Sequence, residues 1–557
     1  MQRHSLTILA VLGLVLEMIW LGSCAATGAH EAVRREVASV KHSVVVSYHP
    51  IATEIGERVL STGGNAFDAF VAVTAAQYVL SEGVTSLAGP LGALMYDSKT
   101  SQTIYLDAGF NGVVDPTGQW NASNPKNGAT AKVPGAPMGL EAIVKRFGQK
   151  SFREDLQPAI DLARRGYPAT SLLLREMMFA KDVLNRSEYG KATYFPGGNS
   201  LKEGDTLKLN QVANTIESLA NEGSLYFYTG AWAKEAIRTI QSQGGRITQK
   251  DFDNYQIQWR KPLKISYRGY EVFGPSGRTY AGHSALLALK ALERVRLDPN
   301  AGHFSKNANA LEILAKIETE AENTTARYAF TDSAKQLDNQ ASIQSALDSD
   351  AEKVWVQATS TMPSSSSVSD QGTHSYHVVV IDNDGNAITG TNTIESLPWG
   401  SGIFVGGIAL SSAGNMPYFD TQPGKRDLSP LSMEIGLKNS KVAFASGAFA
   451  SSLTPASFQF MVNIIDYKLS AADVVSLPRF GINSYDMISH KPTGRGRWLD
   501  KRVDQAIVQA LSKRGLPFDQ EGYVDTGLGS AAIVNADGSV DGAIAPLISQ
   551  KIPGFDN

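Results

Sequence analysis

Cysteine is almost missing from this chain: Cys24 stands alone in 557 residues. One cysteine makes no internal disulfide and no thiolate metal cluster. Histidine is scarce as well. His283, His303 and the pair His374/His377 are scattered, no His-x-x-x-His spacing occurs, and no metal site is implied. Positive charge is not in excess, with 51 basic against 54 acidic residues and a net charge of −3, so nucleic acid is excluded as a natural partner. No Gly-x-Gly-x-x-Gly follows a strand, no phosphate-loop lysine occurs, and no cofactor is implied. A Gly-x-Ser-x-Gly elbow is missing too, since residues 445–452 read Ala-Ser-Gly-Ala-Phe-Ala-Ser-Ser. Any catalysis needs a nucleophile of another kind.

What is present is ordinary for a compact protein: 43% apolar and 19% charged residues. The first residues are less ordinary. Arg3 and His4 precede the apolar run Leu6 to Leu16, and small residues follow from Gly22 to Gly28. A basic end, an apolar run and a small-residue exit read as an export signal over residues 1–28, with a retained membrane anchor as the alternative. Glu17 interrupts the run, and no later segment is long and apolar enough to span a bilayer. The protein is therefore expected to be exported, touching a membrane only through this segment. Leu21-Gly-Ser-Cys24 resembles a bacterial lipoprotein cleavage box, against the plainer reading of a chance cysteine in a discarded peptide. Sequons at Asn121, Asn185 and Asn323 matter only in a eukaryotic host.

Along the chain, Ser43 to Ser47 reads as a buried strand, Pro50 to Leu60 as a helix ending at Gly63-Gly64, and Phe67 to Leu80 as a strongly apolar helix. Gly89 to Tyr96 and Gln102 to Leu106 resemble a hairpin, and helical text dominates from about 137 to 350. Residues 360–370 are polar, small and aperiodic, which fits a flexible solvated stretch. Strand text then resumes: His377 to Ile381, the turn Asp382-Asn-Asp-Gly385, and Ala387 to Ile394. A hydroxyl residue placed first on such a strand by chain cleavage has a free α-amine. With a pKa near ~8, that amine can act as the hydroxyl's own general base.

Ordered motifs from about 43 to 545 resemble the gamma-glutamyltransferase (glutathione hydrolase) family. They include Gly63-Gly-Asn-Ala-Phe-Asp-Ala69, Val133-Pro-Gly135, Gln157 to Gly166, Tyr267-Arg-Gly-Tyr270, Asp384-Gly-Asn-Ala387, Trp399-Gly-Ser-Gly402, Lys425-Arg-Asp-Leu-Ser429 and Leu477-Pro-Arg-Phe480. The resemblance implies an α+β fold, an αββα sandwich of the N-terminal-nucleophile class, cut from one proenzyme. Residues 40–374 would form the large part and 375–557 the small part carrying the nucleophile. The family cuts before a Thr about ten residues ahead of the turn glycine, and counting back from Gly385 lands on Ser375. Thr373 is the rival, reproducing a Thr-His pair at the cost of two extra residues in a strand whose register resists insertion.

The same resemblance places Thr393 as the hydroxyl supporting the nucleophile. Phe449 and Ala450 fall where backbone N–H groups form an oxyanion hole, Glu395 where the family has Asn, and Ser429 on a substrate-facing Ser. Glycine stands at 449 and 450 in the family, and it permits angles costly for Phe449. The clamp for a glutamyl head group is missing: residues 107–113 carry no Arg, and Pro417 stands where an Asp holds the α-amine. An Arg from elsewhere, such as Arg278, would have to replace the first. The expected function is transfer or hydrolysis of the γ-glutamyl group of glutathione or its conjugates, the partners being that small substrate and the two pieces of the chain itself. The alternatives are an amide hydrolase for a non-glutamyl substrate and an inactive binding relative.

Overall fold

The computed structural model describes residues 37–40, 42–114, 128–329, 337, 339–360, 375–413, 424–449, 453–481, 485–486, 491–492, 497–521 and 528–545. The expected export segment, Cys24, Thr373, His374, Pro417 and the 361–370 stretch lie outside them, as does the sequon at Asn121.

The chain opens with β1 (Val37–Val40), β2 (Ser43–Val46), α1 (Pro50–Ser61), α2 (Ala66–Leu80) and the hairpin β3 (Leu91–Asp97)/β4 (Gln102–Ala108). After α3 (Ala136–Phe147) and α4 (Phe152–Arg165) come β5 (Gln258–Arg260), β6 (Leu263–Tyr267) and β7 (Tyr270–Gly274). The helices α5 (Ala281–Leu292), α6 (Ala308–Ala329) and α7 (Gln340–Ser360) follow. Then β8 (Ser375–Ile381) and β9 (Ala387–Thr393) form a hairpin, and β10 (Ser432–Lys438) pairs with β11 (Lys441–Phe449). Last come α8 (Leu453–Ile465), β12 (Leu528–Val534) and β13 (Val540–Ile544).

Two antiparallel sheets result. The first runs β1-β2-β8-β9-β3-β4-β5 and the second β13-β12-β11-β10-β7-β6. They face each other, with α1 to α3 packed on the first and α4 lying against α2, and with α5, α7 and α8 packed on the second and α6 lying against α5 and α7. Strand alternation divides the core accordingly. Val44, Val46, Val379 and Ile381 join the cluster that includes the second sheet, whereas Val45, Val378 and Val380 turn toward α2. Every residue of α2 is buried, which explains why it reads as apolar on all sides.

The helical reading of 137–350 needs one correction: it contains β5, β6 and β7. The β6–β7 hairpin turns through Arg268 (φ 47°) and Gly269 (φ 80°), a two-residue turn with both central residues left-handed. Its short strands borrow their stability from β10, so helical neighbours mask them in the sequence.

Candidate active site

The site is set by turn chemistry at the far end of β8–β9. Asp382 Oδ1 accepts from the N–H groups of Asp384 and Asn386 (both 3.0 Å), and Gly385 takes φ 80°. Asp382 Oδ2 also accepts from Ala66 N–H at 2.9 Å, tying the turn to the first residue of α2. The N-terminus of α2 is closed by a reciprocal box in which Asn65 Oδ1 accepts from Phe67 and Asp68 while Asp68 Oδ2 accepts from Asn65 N–H. That is the structural content of Gly63-Gly-Asn-Ala-Phe-Asp-Ala69. With the turn pinned, the register runs without a bulge from Ile381/Ala387 to Ser375/Thr393. A slip of one residue would turn Ser375 and His377 to the wrong face.

Ser375 is thus the first residue of an interior strand, 5% exposed and opposite Thr393. Thr393 Oγ1 accepts from Glu395 N–H at 2.8 Å. Glu395 takes φ 51°, a left-handed conformation that costs a non-glycine residue about 1–3 kcal/mol, and such strain concentrates at functional sites. The loop following it is laced to residues 83–89: Ile394 N–H donates to Val84 O (2.9 Å) and Trp399 N–H to Gly83 O (3.0 Å). Gly89 lies flat on the end of β9, where any Cβ would overlap the Thr393 carbonyl. Gly135 is held as tightly against Ala108 O, which accounts for Val133-Pro-Gly135.

Two residues along from Ser375, His377 is fully buried between the sheets. Its Nδ1 lies 2.6 Å from Ser530 Oγ and its Nε2 2.9 Å from Thr389 Oγ1. The Thr389 hydroxyl donates to Ser446 O at 3.0 Å. Its one proton being used there, Thr389 accepts from His377, so Nε2 carries the ring proton and Nδ1 accepts from Ser530. Burial pulls the ring's pKa down to about 3, so it is neutral. Both nitrogens are engaged, and His377 is placed to hold strands together rather than to move protons.

A buried charge cluster adjoins Thr393. Lys132 Nζ lies 3.1 Å from Asp427 Oδ2, with both side chains almost fully enclosed. Glu395 is 2% exposed; burial and the neighbouring Asp427 push its carboxyl well above the carboxylate range, against Lys132 and a hydrogen bond with Ser429. Ser429 in turn donates its N–H to Arg278 O at 2.7 Å, and burial raises the Asp427 carboxyl above its ordinary range, against the pull of Lys132, Arg278 and Arg426. Arg426 lies behind the 107–113 segment and is committed there: it pairs with Asp107 (3.2 Å), donates to Gln256 O (2.6 Å) and to Gly109 O, and covers the Tyr255 ring.

The structure therefore brings Ser375, Thr393, Glu395 and Ser429 to one end of the sandwich. Phe449 ends β11 opposite Leu528, fully buried, its ring edge-on to Tyr376 and Tyr48. It is not among the residues with positive φ, so the feared backbone cost does not arise at Phe449. Ala450 lies outside the described residues. Sequence reasoning passed over Lys132 and Asp427, although each sits inside a quoted motif segment or beside one. Among the described residues no group of three His, Cys, Asp or Glu side chains could hold a metal. No described helix is long and apolar enough to cross a membrane.

Two facing antiparallel sheets between helical layers, with a hydroxyl residue heading an interior strand, define the N-terminal-nucleophile class of hydrolase folds. The crystal structure of a cephalosporin acylase from Bacillus halodurans shares this fold with a TM-score of 0.77, over 92% of this chain and 95% of that one, at 22% identity. The chain belongs to the gamma-glutamyltranspeptidase family, whose model matches residues 52–547. It is 27% identical to a glutathione hydrolase proenzyme of Bacillus subtilis (strain 168), over 90% of this chain and 92% of the relative. It is 29% identical to the acylase ACY 1 proenzyme of Pseudomonas sp. (strain SE83), over 91% and 93%.

Proposed function

We propose that this protein is an exported, self-cleaving enzyme that hydrolyses or transfers the γ-glutamyl group of glutathione or its conjugates. Cleavage between His374 and Ser375 would leave a large part (40–374) and a small part (375–557) beginning with the nucleophile. The freed α-amine takes the Ser375 hydroxyl proton as Oγ attacks the amide carbon, and returns it to the departing amine. Water or an amino acceptor then releases the acyl group by the same path in reverse. Thr393 orients the nucleophile, backbone N–H groups at Phe449 and Ala450 receive the oxyanion, and Glu395 and Ser429 face the acyl group. The observation that carries this reading is Ser375 at the head of an interior strand, register-locked opposite Thr393. The relatives named as glutathione hydrolase and acylase proenzymes support it.

The test is direct. Purified protein should resolve into two fragments, the smaller with Ser375 at its N-terminus, and should release p-nitroaniline from γ-glutamyl-p-nitroanilide. A chain that stays intact on incubation overturns the proposal. A second reading, amide hydrolysis on a non-glutamyl acyl group, is favoured by the lack of an Arg in residues 107–113. Faster turnover of simple acyl anilides would select it.

A further inference from the structure

Backbone strain is unevenly spread in this chain. Among the described residues seven other than glycine take positive φ; four stand in hairpin turns and Lys468 lies just past α8. The remaining two, Glu395 (φ 51°) and Trp399 (φ 57°), are both buried and belong to one loop that starts right after Thr393. Such conformations persist only where the surrounding structure over-determines them. At the near end of the loop Ile394 N–H, bonded to Val84 O, supplies the restraint.

At the far end the restraint is a buried chain of side chains. Trp399 Nε1 donates to the Tyr194 hydroxyl at 3.0 Å, and that hydroxyl donates to Glu82 Oε2. Tyr194 has one proton, so giving it to Glu82 leaves its oxygen free to accept from the indole. The Tyr194 and Trp399 rings meet edge to face, centroids 5.2 Å apart. The indole also lies against Gly83, where a Cβ would stand 2.7 Å from it, and Trp399 N–H donates to Gly83 O at 3.0 Å. Tyr194 ends the helix Glu188–Tyr194, and Glu82 follows α2 by two residues.

Glu82 is the unusual member. Its side chain is enclosed, and burial pushes its carboxyl well above the carboxylate range. A core that needed only packing would hold an apolar residue here, because an enclosed carboxyl forfeits its hydration. What the carboxyl does is fix the direction of the Tyr194 proton, and with it the place where the indole docks.

We propose that Glu82 and Tyr194 are positioning residues: through Trp399 they hold the strained 394–399 loop against residues 83–84, and so keep Thr393 and Glu395 in place beside Ser375. The inference rests on Ser375 being the nucleophile and Thr393 its support.

Three variants test it. E82Q copies a neutral carboxyl in shape and keeps an acceptor for Tyr194; E82L keeps the bulk and removes the acceptor; Y194F removes both hydrogen bonds and keeps the ring. All are compared well below the thermal midpoint of each. Fragment formation after cell-free synthesis, and kcat for γ-glutamyl-p-nitroanilide, should fall about tenfold in E82L and Y194F, with E82Q restoring both to within about twofold of wild type. A purely structural role would lower the thermal midpoint and leave both rates as in wild type, and that result overturns the proposal. So does an E82Q as slow as E82L. In the uncut Ser375→Ala protein, hydrogen exchange at the Ile394 and Trp399 amides should speed up about tenfold on adding E82L or Y194F, and stay unchanged on adding E82Q. Should wild type neither cut nor release aniline, the reaction assignment fails separately. Exchange then decides alone, and equal rates in every variant overturn the brace.

Discussion

His377 and Gly447 stand against each other across the two sheets, with no room between them for a single added carbon: a Cβ on Gly447 would overlap the imidazole at Nε2. The contact locks the strand that begins at Ser375 to the centre of the second sheet. Gly447→Ala should push the ring off Thr389 and Ser530 and lower stability by about 2–4 kcal/mol. Urea unfolding of the uncut Ser375→Ala protein, with and without the second change, measures it. An unchanged midpoint would show that the ring has another place to go.

The pH response of the same ring has a definite sign. Its pKa is about 3 in the folded protein, against about 6.5 in an unfolded chain. The unfolded state gains a proton below about 6.5 that the folded state refuses, so this contribution is complete above that pH and is lost as pH falls. His49 and His283, each lowered to about 4 by burial, act in the same direction. Between pH 7.5 and 5 the His377 part is worth about 2 kcal/mol. Adding His377→Gln to the Ser375→Ala background should shrink the measured loss by that amount.

Asp155 runs the other way. It is fully buried beside Asp68, which accepts N–H bonds from Asn65 and Gln149 (2.8 and 3.0 Å). Burial, then the Asp68 charge, raise its carboxyl to about 9. An unfolded Asp155 ionises near 4, so folding must take up a proton at neutral pH and stability declines as pH rises through that window. Asp155→Asn keeps a donor for Asp68 without the proton, and is expected to stabilise the protein at pH 7.5 by on the order of 2 kcal/mol. A thermal midpoint that falls would show that the carboxyl is needed in another role.

The proposed nucleophile and its rival separate by simple substitution. Ser375→Thr keeps the hydroxyl and should still cut, Ser375→Ala should remain one chain with kcat at least ~10³-fold lower, and Thr373→Ala should process as wild type. Gly89→Ala keeps all these residues but shifts the end of the strand carrying Thr393. Processing should slow ~10²-fold, as small misplacements of reacting groups do. Gel-resolved time courses distinguish the four variants.

Much of this was legible because the information is local. Asp382 to Gly385 carries its turn chemistry within a few residues, and counting from it places Ser375 opposite Thr393. The all-buried α2 announces itself by being apolar all round. The β6–β7 hairpin was hidden because its strands make sense only beside β10, far along the chain. Lys132 and Asp427 were hidden for a related reason: each looks like a surface charge until the fold puts one against the other. Glu395 was marked by position alone, and only its backbone angle and enclosure reveal how unusual its surroundings are.

The strand order has a consequence for what happens after the chain is cut. In the first sheet β8 and β9 lie between β2 and β3; in the second, β10 pairs with β7. Each sheet is thus woven from both pieces, and neither piece retains a complete sheet without the other. The proposed cut before Ser375 would turn a single-chain folding problem into the assembly of a heterodimer whose halves share both sheets. The uncut chain can refold alone at any dilution, whereas the processed protein must find its other half, so its recovery from denaturant should depend on concentration. Maturation would then act as a ratchet, leaving an enzyme that persists by slow unfolding and cannot readily be remade once its parts separate.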